Sequence, residues 1–180
     1  MMSIFLTIAL CTILILAAVQ DLRVQKIPNL LTYPTMGMGV IYHSVTNGLD
    51  GFFFAATGLA AGIGLLIVPY IMGGMGAGDA KLMGAIGAVV GPKGVFTAFL
   101  FSAVIGGLYA LLLILLRGQL RREFVERHLM TLKTFLFTRQ FIPIPAAEDA
   151  KKPKLCYGIA IAFGTLLYIS LELSGYNPIM

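Results

Sequence analysis

Charge, histidine and cysteine are all scarce in this chain of 180 residues: charged side chains make up 12% of it, and there are two histidines and two cysteines. So little charge excludes an ordinary water-soluble domain, in which about a quarter of the residues are charged. Cys11 and Cys156 form no C-x-x-C pair and have no histidine close by, which argues against a zinc site or a disulfide scaffold. The G-x-S-x-G turn of serine hydrolases and the H-E-x-x-H helix of zinc proteases are both missing. There is no low-complexity tract and no internal repeat of the kind that builds transporters from two related halves. No metal or cofactor is expected, and any chemistry falls to the carboxylates.

What fills the chain is hydrocarbon. Hydrophobic residues make up 58% of it and mean hydropathy is +0.91, the composition of an all-α integral membrane protein. Apolar stretches fall at roughly 3–20, 29–46, 51–72, 80–91, 95–116 and 155–173, separated by "DLRVQKIP", "NGLD", "GGMGAGD", "GPKG" and one long polar segment. That pattern predicts about six transmembrane helices in a single polytopic domain, residues 1–180. The first run lacks the basic residues that precede a signal peptide's apolar core, and Arg23 and Lys26 follow it instead, so it reads as a retained helix with its N-terminus outside.

With alternating crossings, Arg23, Lys26, Lys81 and every Lys and Arg between Arg117 and Lys154 fall on one side, leaving Lys93 opposite. The positive-inside bias makes the crowded side cytoplasmic. It also accounts for the net charge of +5 as anchoring rather than nucleic-acid binding. The fourth stretch, Ala80 to Val90, reaches only about 17 Å against a core of about 30 Å, which predicts that its start lies below the membrane surface. Residues 119–138 mix Leu120, Phe124, Leu129, Leu132 and Phe135 with Arg121, Arg122, Glu126 and Arg127, as an amphipathic segment at the cytoplasmic interface would. It lies in a cytoplasmic loop, 117–154.

Two short stretches stand apart. "IMGGMGAGDAKLMGAIG" belongs to a region with eight glycines in the 22 residues from Gly73 to Gly94, and its one carboxylate is Asp79. "AVQDLRVQKIPNLL" carries Asp21. Asp21 ends the first crossing and Asp79 opens the fourth, so both meet the same membrane face. Gly58 and Gly62, and Gly84, Gly87 and Gly91 on one face of the fourth helix, suit close helix packing. Gly73, Gly74, Gly76 and Gly78 instead permit an irregular turn around Asp79. An ionisable residue at membrane depth is costly and marks function. Two adjacent carboxyls, one of them protonated, can activate a water and polarise a carbonyl, as in aspartic proteases.

"GAGDAK" (Gly76 to Lys81) together with "DLRVQKIPN" (Asp21 to Asn29) resembles the prepilin peptidases, or type IV leader peptidases, which are GxGD-type membrane aspartyl proteases. The resemblance implies cleavage of the short basic leader from type IV, Flp-like prepilins at the cytoplasmic face, with Asp21 and Asp79 as the catalytic pair. Gly76, Gly78, Lys81, Pro28 and Asn29 match the two motifs as site-shaping positions. The implied partners are prepilins, membrane lipids and the pilus assembly or secretion machinery, in the cell membrane. Longer members add a cytoplasmic domain with paired cysteines and methylate the new N-terminus. Here the first helix starts at Ser3, so the likeness is to the short, peptidase-only form, and archaeal preflagellin peptidases are similar in size.

Three other readings compete. Presenilin and signal-peptide-peptidase relatives share G-x-G-D but carry Tyr-Asp and Pro-Ala-Leu motifs, whereas Asp21 follows Gln20 and the tripeptide is missing. A proton-coupled transporter or channel would spread acids through the membrane depth. Here Asp50 falls in the outer "NGLDG" turn, and Glu172 near the outer end of the last helix reads as an interfacial residue. In a non-catalytic scaffold of a secretion machine the aspartates would be incidental.

Overall fold

The computed structural model describes residues 3–72, 74–116 and 156–175, and all regular structure among them is helical. The elements are α1 (Ile4–Val24), α2 (Asn29–Ile71), α3 (Ala77–Leu116) and α4 (Tyr157–Leu173). The amphipathic segment expected at 119–138, and the whole 117–154 loop, lie outside the described residues. Met1–Gly106 and Cys156–Met180 form one compact unit, to which the packing below belongs. Of the other unit, Gly107–Leu155, the described part is the apolar C-terminal end of α3.

Local chemistry sets the helix limits. The Ser3 hydroxyl accepts the Leu6 N–H at 3.3 Å and so caps α1. Gln25 stops α1 in the left-handed region at φ 53° and donates its N–H back to Asp21 O. Pro28, extended at φ −70° and ψ 142°, leads into α2.

α2 has 43 residues and α3 has 40, and each is broken once. In α2 the break is Gly48 at φ 61° and ψ −137°, within "NGLD". In α3 it is Gly91 at φ 78° and ψ 179°, followed by Pro92, which cannot donate to the preceding turn. A side chain with a Cβ would strain both positions. Gly91 is therefore the break point of α3 as well as part of the glycine face that packs on Gly58. It stands against the Phe54 ring, where a Cβ would overlap. The two breaks turn four helices into six helical segments.

Glycines let these segments touch backbone to backbone. A Cβ on Gly58 would meet the Gly87 carbonyl, and one on Gly62 the Met83 carbonyl, so the second half of α2 runs antiparallel to the first half of α3. A Cβ on Gly39 would stand 2.7 Å from the Ala88 carbonyl oxygen, and the Nε2 of His43 pairs with Val89 O at 2.9 Å. The second half of α3 pairs with α4 through Gly94 on Tyr168, Ser102 on Gly164 and Gly106 on Tyr157, again antiparallel. Leu6, Leu10, Leu14 and Ala17 form the buried stripe of α1, while Ile4, Phe5, Ile8, Ile15 and Leu16 on its other faces are exposed. Helices apolar on both their packed and their open faces suit a hydrocarbon solvent. α1, α2 and α3 are each long and apolar enough to cross a membrane.

Candidate active site

Asp21 continues the buried stripe of α1 one turn beyond Ala17. Its neighbours in that stripe are apolar, yet it is only 5% exposed. A carboxylate there needs donors. Its Oδ2 accepts the N–H of Gly158 at 2.9 Å, and the N–H of Ile159 points to the same group. Both belong to the first turn of α4, whose N–H groups have no partner within the helix. The C-terminal end of α1 thus meets the N-terminal end of α4 at this aspartate.

Asp79 is 8% exposed and is the third residue of α3. Its Oδ2 accepts the Gly76 N–H at 3.0 Å, while its own N–H donates to Gly76 O at 3.1 Å. This is the reciprocal arrangement of a capping box, with Gly76 as the cap and Asp79 as the acidic partner three residues on. Gly78 serves a different end. A Cβ on it would come within 3.1 Å of Ile27 Cβ and 3.3 Å of Ile27 O, so its absence lets the linker between α1 and α2 lie against the start of α3. The linker anchors there through the buried side chain of Ile27.

The structure therefore brings Asp21 and Asp79 to one end of the helix set, near enough that the charge on Asp21 acts on Asp79. Cys156 and Tyr157, at the start of α4, lie within reach of the Asp79 charge as well. The Cys156 thiol is partly buried and approaches Asp21 O at 3.7 Å.

Lys81 sits one half-turn on from Asp79. Its Nζ donates to Asn29 Oδ1 at 2.9 Å and lies 5.1 Å from the centre of the Tyr33 ring. Asn29 follows Pro28 and opens α2, so this contact closes the same linker over the start of α3. Among the described residues no three His, Cys, Asp or Glu side chains gather as a metal would require. Asp50 is exposed beside the Gly48 break, and Glu172 lies at the far end of α4 from Gly158. Neither joins the two aspartates. The residues absent from the sequence reading are Ile27, Tyr33 and Gly158. Ile27 lies within "DLRVQKIPN" and Tyr33 shortly after it, but nothing in the sequence around Gly158 links it to a carboxylate 137 positions earlier.

Residues 8–111 match the type IV leader peptidase family. The chain belongs to that family. It is 34% identical over 113 residues to the prepilin leader peptidase/N-methyltransferase of Bacillus subtilis (strain 168), a match covering 60% of this chain and 44% of that protein. The chain thus corresponds to less than half of that relative's length. No solved structure matches. The region matched to the leader peptidase family contains both aspartates, Gly76, Gly78, Lys81, Pro28 and Asn29, and stops short of α4.

Proposed function

We propose that this chain is a polytopic membrane aspartyl endopeptidase that removes the short basic leader from type IV prepilins at the cytoplasmic face. The observation that carries this reading is the meeting of Asp21 and Asp79, two buried carboxylates from separate helices of a type IV leader peptidase family chain. One carboxylate takes a proton from a water as the water oxygen attacks the scissile carbonyl carbon, and the other, as the acid, gives its proton to the carbonyl oxygen. The resulting diol collapses as the leaving amine is protonated. Each carboxylate is held by one oxygen on a backbone N–H, which leaves its other oxygen for water and substrate.

The membrane arrangement we infer has six crossings, an outer N-terminus and a cytoplasmic 117–154 loop, as one peptidase domain. At about 1.5 Å per residue, the 43 residues of α2 would measure about 65 Å, twice a bilayer core of about 30 Å. The breaks at Gly48 and Gly91 and the antiparallel pairings favour a crossing by each half. The crowding of Lys and Arg to one side favours the orientation. Glu172 at the opposite end of α4 speaks against a proton relay through the membrane. Co-expression with a prepilin in cells lacking other leader peptidases tests the activity. A size shift, with the new N-terminus read by sequencing at the end of the basic leader, is expected. An unprocessed precursor beside stably accumulated enzyme would reject it.

A further inference from the structure

We propose that Gly158 is a positioning residue of the site: it carries the N-terminus of α4 against Asp21 and fixes that carboxylate for catalysis. The inference rests on the peptidase reading above, and it concerns a helix beyond the region that matches the family.

Four observations converge on it. Asp21 is nearly fully buried, so its side chain can be held only by protein groups or by water admitted at the site. The hydrogen bond from Gly158 to Asp21 Oδ2 is 2.9 Å long and joins α4 to α1. The approach is specific to glycine, since a Cβ at 158 would stand 2.9 Å from Asp21 Oδ2 and 3.1 Å from its Cβ and Cγ. Those three atoms belong to one buried side chain, so an alanine there displaces the carboxylate or the helix start that holds it. Finally, Asp21 has no capping box of its own. Asp79 is held by Gly76, three residues away on its own turn, whereas among the described residues the donors to the Asp21 carboxylate are the N–H groups of Gly158 and Ile159, far downstream in α4. The position of one member of the pair is therefore set by α1 and α4 together, and that of the other by α3 alone.

A small displacement of a reacting group costs orders of magnitude in rate without changing substrate affinity. Two variants separate positioning from folding. Gly158→Ala adds the Cβ. Glycolic acid in place of Gly158 converts the donating amide to an ester, removing the N–H while adding no volume. Both are compared with the parent enzyme in detergent-lipid micelles on a prepilin peptide, with kcat and KM measured separately and folding followed by protease resistance. The expected result is a fall in kcat of about tenfold or more for each variant, with KM unchanged and protease resistance retained by the ester variant. If the alanine variant fails to accumulate, the ester variant decides. A parent enzyme that cleaves, with an ester variant of unchanged kcat, would overturn the inference, as would a raised KM at constant kcat. A parent enzyme that never cleaves would instead reject the peptidase reading.

Discussion

Lys81 Nζ donates to Asn29 Oδ1 at 2.9 Å, joining residues 52 positions apart across the mouth of the α1–α2 linker. With Gly78 pressed on Ile27, it ties the segment following Asp21 to the turn that bears Asp79. Lys81→Met and Asn29→Ala should each lower prepilin cleavage by roughly two- to tenfold, and the double variant should be no slower than the worse single one, because partners in one contact are not additive. Initial rates on a prepilin peptide at saturating concentration check this. Fully additive losses would mean that the two residues act separately.

Asp21→Ala and Asp79→Ala should each abolish cleavage, and the double variant should match either one, since a pair acting as a unit fails when one member is lost. Asn cannot move the proton, and Glu places the oxygen a methylene too far, so neither should rescue. Asp50→Ala and Glu172→Ala should retain near-normal rates. Precursor and product bands after co-expression provide the readout, and cleavage surviving Asp21→Ala but lost with Glu172→Ala would relocate the site.

Gly87→Leu should destabilise the helix set, because the Gly87 position lies against the Gly58 carbonyl and leaves no room for a side chain. Overpacking of this kind costs about 1–3 kcal/mol. Gly64→Leu, where nothing stands within 4 Å of the added Cβ, serves as the contrast. Thermal unfolding in detergent should drop for the first and hold for the second.

Cysteine probes test the topology. An impermeant maleimide applied to intact cells should miss a cysteine at Glu123 and label one at Asn177; the reverse pattern would invert the arrangement.

Much of the helical architecture is legible in the sequence because it rests on local signals. Apolar runs set the helices, and "NGLD" and "GPKG" carry the Gly and Pro chemistry that breaks α2 and α3. The family is legible too, since its motif residues are contiguous. The spacing of Gly84, Gly87 and Gly91 fits one helix face and "GPKG" marks a break, but that Gly91 itself carries the positive φ is visible only in the structure. The capping role of Asp79 can be traced in Gly76 and Asp79 three residues apart, but its burial cannot, since that depends on how α1, α3 and α4 converge. Gly158 and the Asn29–Lys81 contact stay hidden for the same reason: each depends on chain segments that meet only after the helices pack.

The capping contact at Asp79 gives one carboxylate two duties. The carboxylate that the proposed reaction would use is also the acceptor that holds the first turn of α3 to Gly76. A charged acceptor makes a stronger hydrogen bond than a neutral one, so whenever Asp79 takes up a proton the turn around Gly76 is held less tightly, and whenever it gives the proton up the turn tightens again. In the proposed reaction, proton transfer at Asp79 and the order of the turn at Gly76 would rise and fall together.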